Sequence, residues 1–276
     1  VSDPRTRLAV LGSPIGHSKS PLIQRAAYGV LGVDWTYDAV EMTGGRLPEF
    51  LDSLDETWRG LSLTMPLKRD VIPLLDQRHP LVDRVGGANT VLFDGGAIRG
   101  FNTDVRGAVE SLRSVGVESL GSVHLLGAGA TAASVLVAVA QLGATHALVS
   151  ARTPEKAADL VRLGEQEGIA VEVRAWSDGV GTGIPDAVIS TVPGGQNNLV
   201  FSEETRASAV LFDVAYDPWP SELALAWESV GGTVVSGLEL LLQQAVGQVR
   251  IFVTGDPDAP LPDEPAVLAA MRAAID

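Results

Sequence analysis

The 276-residue chain contains no cysteine, which excludes disulfides, thiolate catalysis and any cysteine-ligated metal and agrees with a cytoplasmic setting. No apolar run approaches the roughly 18 residues needed to cross a bilayer, and no basic, apolar and small-residue leader opens the chain. The most apolar stretch, 131–142, is rich in Ala and Val; it reads as a helix and is too short to span. Clustered His, Asp and Glu of the kind that hold a metal are missing, as are repeats, low-complexity tracts and charge blocks. Basic residues are scarce: 20 Lys and Arg against 34 Asp and Glu leave a net charge of -14. That balance argues against nucleic acid or an anionic membrane as partner. It also sets a condition, because an anionic substrate or a phosphorylated cofactor then needs cations placed locally.

What is present suits a globular protein, with 46% hydrophobic and 20% charged residues. The length suggests one large or two medium domains. Residues 7–11 read as a short strand, and Ser20-Pro21 starts a helix, with Ser as N-cap and Pro at the first helical position. Leu22, Ile23, Ala26, Ala27, Val30 and Leu31 keep helical spacing up to a stop at Gly32. Strands follow at 35–40 and 61–63, then a helix after Lys68. Segments 89–93 and 97–101 flank Asp94-Gly95-Gly96 as a hairpin. From Ser122 the pattern becomes a regular strand–helix alternation, with strands at 123–126, 147–150, 171–175, 187–190, 210–214 and 233–235. This predicts an α/β protein with a parallel sheet. A helical tail at 238–252 and 264–274 closes the chain, and composition alone does not place it.

Strand 123–126 runs into Gly127-Ala128-Gly129-Ala130-Thr131-Ala132 and a long Ala/Val helix. This is the G-x-G-x-x-G/A arrangement in the strand–turn–helix setting that a dinucleotide site requires. Gly127 allows the tight turn, Gly129 lets backbone approach a pyrophosphate, and Ala132 lets helix and strand pack closely. The helix N-terminus supplies unpaired N–H groups to the anion. An NAD site usually carries Asp or Glu at the end of the next strand. Here that strand ends Ser150-Ala151-Arg152-Thr153, with no carboxylate until Glu155. Arg152 suits a 2′-phosphate, Lys156 would add charge one turn on, and the pattern favours NADP over NAD, although two solvated cations at a helix start are also ordinary.

Three further segments are polar where a bland loop would suffice. They are Pro14-Ile15-Gly16-His17-Ser18-Lys19-Ser20-Pro21, then Thr64-Met65-Pro66-Leu67-Lys68, and the two Asn-Thr pairs of Gly87-Ala88-Asn89-Thr90 and Gly100-Phe101-Asn102-Thr103-Asp104. The last two lie at the ends of one hairpin and so put several polar groups on one side. Taken singly each has an ordinary explanation: a helix cap, a solvated lysine, a strand end.

Together, and in this order, these segments resemble the shikimate dehydrogenase family. The resemblance continues through an Arg-Thr-x-x-Lys segment at Arg152, through Phe212-Asp213-Val214-Ala215-Tyr216-Asp217-Pro218, and through the stretch from Gly237 to Ala245. It implies a two-domain α/β fold. Residues 1–103 and 238–276 would form a discontinuous substrate and catalytic domain, and 104–237 an inserted Rossmann-type NADP domain. It implies reversible reduction of 3-dehydroshikimate to shikimate, in chorismate and aromatic amino acid biosynthesis. Ser18 and Ser20 would hold the substrate carboxylate with Tyr216 nearby. Thr64, Asn89, Asp104 and Gln244 would bond the ring hydroxyls, and Lys68 with Asp104 would form the catalytic pair. NADP would take the turn from Gly127 to Ala132, with Arg152, Thr153, Lys156, Thr191, Val214 and Gly237. The protein would be a cytoplasmic monomer or homodimer. An NAD-preferring quinate/shikimate dehydrogenase and a non-catalytic ligand-binding relative are the alternatives.

Four positions depart from the common pattern: Ser62 stands where Asn is frequent, Ala130 where Gly is often found, Ala151 where Asn often precedes the arginine, and Leu240 where Met is usual. Ser62 is expected still to donate a hydrogen bond to the substrate. Ala151 leaves Arg152 carrying more of the cofactor discrimination.

Overall fold

A computed structural model describes residues 6–192 and 199–275. The chain divides into two compact units, one running to Thr103 and resuming at Leu242, the other Asp104–Leu241.

In the first unit the order is β1 (Arg7–Gly12), α1 (Ser20–Leu31), β2 (Thr36–Glu41), α2 (Leu47–Asp52), β3 (Trp58–Leu63), α3 (Leu67–Asp70), β4 (Gln77–Arg78), α4 (Pro80–Val85), β5 (Thr90–Asp94) and β6 (Ala97–Phe101). The six strands form one mixed sheet in the order β2-β1-β3-β5-β6-β4. β5 and β6 are antiparallel, with Asp94 paired to Ala97 across a two-residue turn. Gly95 and Gly96 there have φ of 59° and 83°. Both central residues of a tight hairpin turn of this kind need positive φ, which glycine reaches without strain.

The second unit contains α5 (Asp104–Arg113), β7 (Ser122–Leu126), α6 (Ala130–Gln141), β8 (His146–Ala151), α7 (Ala158–Glu167), β9 (Ala170–Ala175), β10 (Ala187–Ser190), α8 (Glu203–Ser208), β11 (Val210–Asp213), α9 (Glu222–Glu228) and β12 (Val234–Ser236). Its strands are ordered β12-β11-β10-β7-β8-β9, and every pair is parallel. This is the doubly wound Rossmann order, and the winding reverses between β7 and β10. α6 is Ala- and Val-rich because it is buried on nearly all sides. A hydrophobic core around Trp227, Phe201, Leu211 and Leu126 includes residues of β7, β11 and α9.

The tail is α10 (Gly237–Thr254) and α11 (Glu264–Ala273). From Leu242 onward it belongs to the first unit. α10 seats on β3 and β5 because two glycines clear its path. A Cβ on Gly60 would lie 2.6 Å from a Phe252 ring carbon and 2.5 Å from the Val91 carbonyl oxygen, and one on Gly247 would lie 3.1 Å from Thr103. Arg59 ties the same contact by donating to the Phe252 carbonyl at 2.9 Å. Arg250, 9% exposed, pairs with Glu264 of α11, and α11 packs on α1. Among the described residues no helix is long and apolar enough to cross a membrane.

Candidate active site

In the first unit the loop between β1 and α1 is held by Glu41. The Ser13 hydroxyl and the Ile15 N–H, the latter at 3.0 Å, both donate to its carboxylate. Ser18 Oγ accepts the Ser20 N–H at 3.3 Å. This corrects the expected start of α1. Ser20 is the first helical residue, Pro21 the second, and the N-cap position is Lys19, whose side chain makes no capping bond. The satisfying hydroxyl is that of Ser18, two residues upstream. Ser18 is half-buried and Ser20 buried.

The neighbouring strand end brings Thr64 against this loop. A Cβ on Gly12 would stand 2.3 Å from Thr64 Cγ2 and 2.9 Å from the Met65 carbonyl, so the glycine admits the contact. Ser13 N–H donates to Met65 O at 2.9 Å. Lys68, half-buried on α3, receives the Ala88 N–H on its backbone carbonyl at 2.8 Å, which joins it to the 87–89 segment.

Asn89, 2% exposed, is gripped on every side. Its Oδ1 accepts Thr103 N–H and Thr90 Oγ1, both at 2.9 Å. Its Nδ2 donates to Thr103 Oγ1 at 2.9 Å and to Gln244 Oε1 at 3.3 Å. The two Asn-Thr pairs therefore meet, as the hairpin reading implies, and α10 adds Gln244 to them. Asp104 is buried, follows Thr103 directly and opens α5. Ser18, Ser20, Thr64, Lys68, Asn89 and Gln244 are all carried by the first unit, whereas Asp104 and Tyr216 belong to the second.

One expectation fails here. Ser62 Oγ donates to Gln248 Oε1 at 2.9 Å and accepts from Tyr37 at 2.6 Å. A hydroxyl has one proton; that of Ser62 is engaged inside the core, and the side chain is 3% exposed. It does not donate to a substrate.

In the second unit the predicted nucleotide segments converge because every strand is parallel. Ser236, Asp213, Ser190, Leu126 and Ser150 are in register across the sheet. The chain leaves that row through Gly237, Val214, Thr191, Gly127 and Ala151, all at the C-terminal edge. Gly127 takes φ 107°, and a Cβ there would lie 2.6 Å from Thr191 Oγ1. Thr191 is fixed in turn by donating both N–H and Oγ1 to the Leu126 carbonyl, at 2.8 and 2.9 Å. The space where a Gly129 Cβ would stand is open. Ala130, Thr131 and Ala132 are the first three residues of α6, so their N–H groups have no helical partner. A dinucleotide pyrophosphate fits this turn, which sits where the winding reverses. Arg152, Thr153 and Lys156 lie exposed beyond β8, two to six residues past Ser150, whose carbonyl accepts the Gly127 N–H at 2.9 Å.

Gly237 is required by backbone geometry. Its Cβ would stand 2.0 Å from the Val214 carbonyl oxygen and 2.9 Å from that of Ala215. The loop that follows Val214 is tied by buried Asp213, which accepts Ser221 Oγ at 2.6 Å and Ala215 N–H at 3.3 Å. Burial raises the Asp213 carboxyl, and those hydrogen bonds oppose the rise. The same loop carries Tyr216, half-buried, whose phenol is pushed up by burial and by the Asp217 carboxylate. It stays protonated and able to donate. Sequence reasoning passed over Glu41 and the Ser62–Gln248 pair, and it named Asp213 only as part of a longer segment. The signal available was polarity at positions whose neighbours are apolar, as with Gln248 between Val246 and Val249.

Residues 10–91 match the profile of the shikimate dehydrogenase substrate binding domain. The chain is 32% identical to the shikimate dehydrogenase (NADP(+)) of Methanothermobacter thermautotrophicus, over 90% of this chain and 91% of the relative. The crystal structure of Mycobacterium tuberculosis shikimate dehydrogenase superposes with a TM-score of 0.82 at 37% identity, covering 97% and 99% of the two chains. The Thermus thermophilus shikimate 5-dehydrogenase, solved in complex with NADP(H) and shikimate, superposes at 0.81 with 29% identity, covering 98% and 100%. With both the ordered motifs and the two sheets accounted for along its length, the chain belongs to the shikimate dehydrogenase family.

Proposed function

We propose that the protein is an NADP-dependent shikimate dehydrogenase that reduces 3-dehydroshikimate to shikimate and runs the reverse oxidation. The carrying observation is positional. The segments with substrate chemistry are carried almost wholly by one unit, and those with nucleotide chemistry lie along the C-terminal edge of the other unit's sheet. In this reading Ser18, Ser20 and Tyr216 take the carboxylate, while Thr64, Asn89, Asp104 and Gln244 take the ring hydroxyls. NADP binds the 127–132 turn with Thr191, Val214 and Gly237, and Arg152, Thr153 and Lys156 face its 2′-phosphate.

NADP supplies a hydride acceptor at its nicotinamide ring. The protein's own task is the proton. Oxidation of the secondary alcohol sends hydride from carbon to the nicotinamide and releases the hydroxyl proton. Lys68 Nζ lies on the segment suited to take that proton, and in the reduction to return it, while the Asp104 carboxylate orients the hydroxyl. The ammonium form also steadies a developing alkoxide electrostatically.

The test is absorbance of reduced nicotinamide with shikimate and either cofactor. Wild-type protein should reduce NADP much faster than NAD, and Lys68→Ala should lower kcat by about 100-fold or more with a modest change in KM. Reduction of NAD alone would retire the cofactor assignment. No reduction of either would move the non-catalytic reading ahead, and a fully active Lys68→Ala would remove the lysine from the mechanism.

A further inference from the structure

Beneath the polar cluster, five buried side chains from four elements, α1, β2, β3 and α10, form a hydrogen-bonded chain that the reaction does not use directly. Tyr28 donates to Gln24 Oε1 at 2.9 Å, and Gln24 Nε2 donates to Gln248 Oε1 at 3.1 Å. Tyr37 donates to Ser62, which donates to the same Gln248 oxygen. Burial raises both phenols, so they remain protonated donors. Two donor chains therefore end on Gln248 Oε1, which orients the amide and leaves Nε2 facing Asn89, whose backbone carbonyl it reaches at 3.3 Å.

We propose that Gln248 is a positioning residue for substrate recognition, its carboxamide holding the Asn89 backbone so that the Asn89 side chain is presented to a ring hydroxyl. The inference rests on the reading of Asn89 as a ring-hydroxyl contact. Gln244 and Gln248 are one helical turn apart on α10 and so share a face. One grips the Asn89 side chain and the other its main chain. Leu63 N–H also donates to that carbonyl, at 2.7 Å, so strand pairing alone already holds the fold there. The second donor fixes direction. Apolar side chains of similar volume would fill this space without the desolvation of five polar groups. A fully satisfied polar chain instead sets one arrangement of the residues it touches.

Two variants separate positioning from packing. Gln248→Met keeps the volume and removes the amide. It should raise KM for shikimate about tenfold, the scale of one lost hydrogen bond in a buried site, with kcat and the KM for NADP within about twofold. Gln248→Glu tests the donor. A protonated carboxyl accepts and donates as the amide does, but an ionised one offers Asn89 O only acceptors. Its KM for shikimate should therefore lie near wild type at acid pH and climb as pH rises through the carboxyl's burial-raised pKa. Wild type should show no climb from this source, since the only titratable members of the hydrogen-bonded chain around Gln248 are Tyr28 and Tyr37, which stay protonated. Tm is recorded for both variants. Should Gln248→Met not fold, Gln248→Glu at its acid end decides. A lowered Tm with unchanged KM for shikimate, or a Gln248→Glu profile parallel to wild type, overturns the proposal. Absence of turnover in wild type itself defeats the functional reading instead.

Discussion

At the exit of β8 the chain reads Ala151-Arg152-Thr153, with Ala151 buried and the next two residues exposed. A guanidinium can meet a phosphate through two parallel N–H bonds, and a small apolar residue beside it contributes none. In the proposed reading most of the cofactor choice therefore falls on Arg152, with Thr153 and Lys156 beside it. Arg152→Ala is expected to lower kcat/KM for NADP by about 10- to 100-fold and to leave that for NAD nearly unchanged, measured by initial rates with each cofactor. Equal losses with both would remove the 2′-phosphate from its role. Ser62 teaches the opposite lesson about single positions. Read from the sequence it is a substituted substrate contact; in the fold its proton is directed at Gln248. Which way a hydroxyl points depends on partners 25 and 186 residues distant, Tyr37 and Gln248, and no local pattern encodes that.

Elements marked by a local signal in the chain were legible. The alternation from Ser122 onward gives the six parallel strands, and Asp94-Gly95-Gly96 gives the hairpin, because hydrophobic period and turn chemistry are local. Short elements were not. α2, α4 and the two-residue β4 carry too few residues to show a period, and α4 is capped by His79, whose Nδ1 accepts the Leu81 N–H at 3.4 Å, rather than by a usual capping residue. The start of α10 was legible as a glycine but not as a steric necessity. Gly237→Ala should drive a methyl into the Val214 and Ala215 carbonyls, which are backbone and cannot swing aside. Its expected cost is about 1–3 kcal/mol in denaturant unfolding, together with a raised KM for NADP. A variant as stable as wild type would show that the helix end can slide.

For the molecule as a whole, stability should respond to acid through His124. Burial and the Arg174 cation hold this imidazole down to about 4 from its ordinary 6.5, while its Nε2 meets Ser150 Oγ at 2.8 Å. The unfolded chain thus takes up the proton first. Its contribution is present above pH 6.5 and is lost as pH falls through 4, amounting to about 3 kcal/mol by linkage. Asp213, with its raised carboxyl, works in the other direction, gaining stability as pH falls toward its ordinary value. Urea unfolding at neutral pH and near pH 4 should show a shallower acid loss in His124→Gln than in wild type; parallel curves would exclude His124 as the source.

The first unit is closed by two helices, α10 and α11, that come after the whole of the second unit's sheet in the chain. Ser62 and Gln248 are 186 residues apart, and the entire second unit lies between them. On the ribosome, the mixed sheet emerges with the α10 side of β3 and β5 bare and with Gln24 and Ser62 lacking their common acceptor. The second unit, continuous from Asp104 to Leu241, can meanwhile complete its own sheet. All residues of the second unit are therefore synthesised before the helices that complete the first unit.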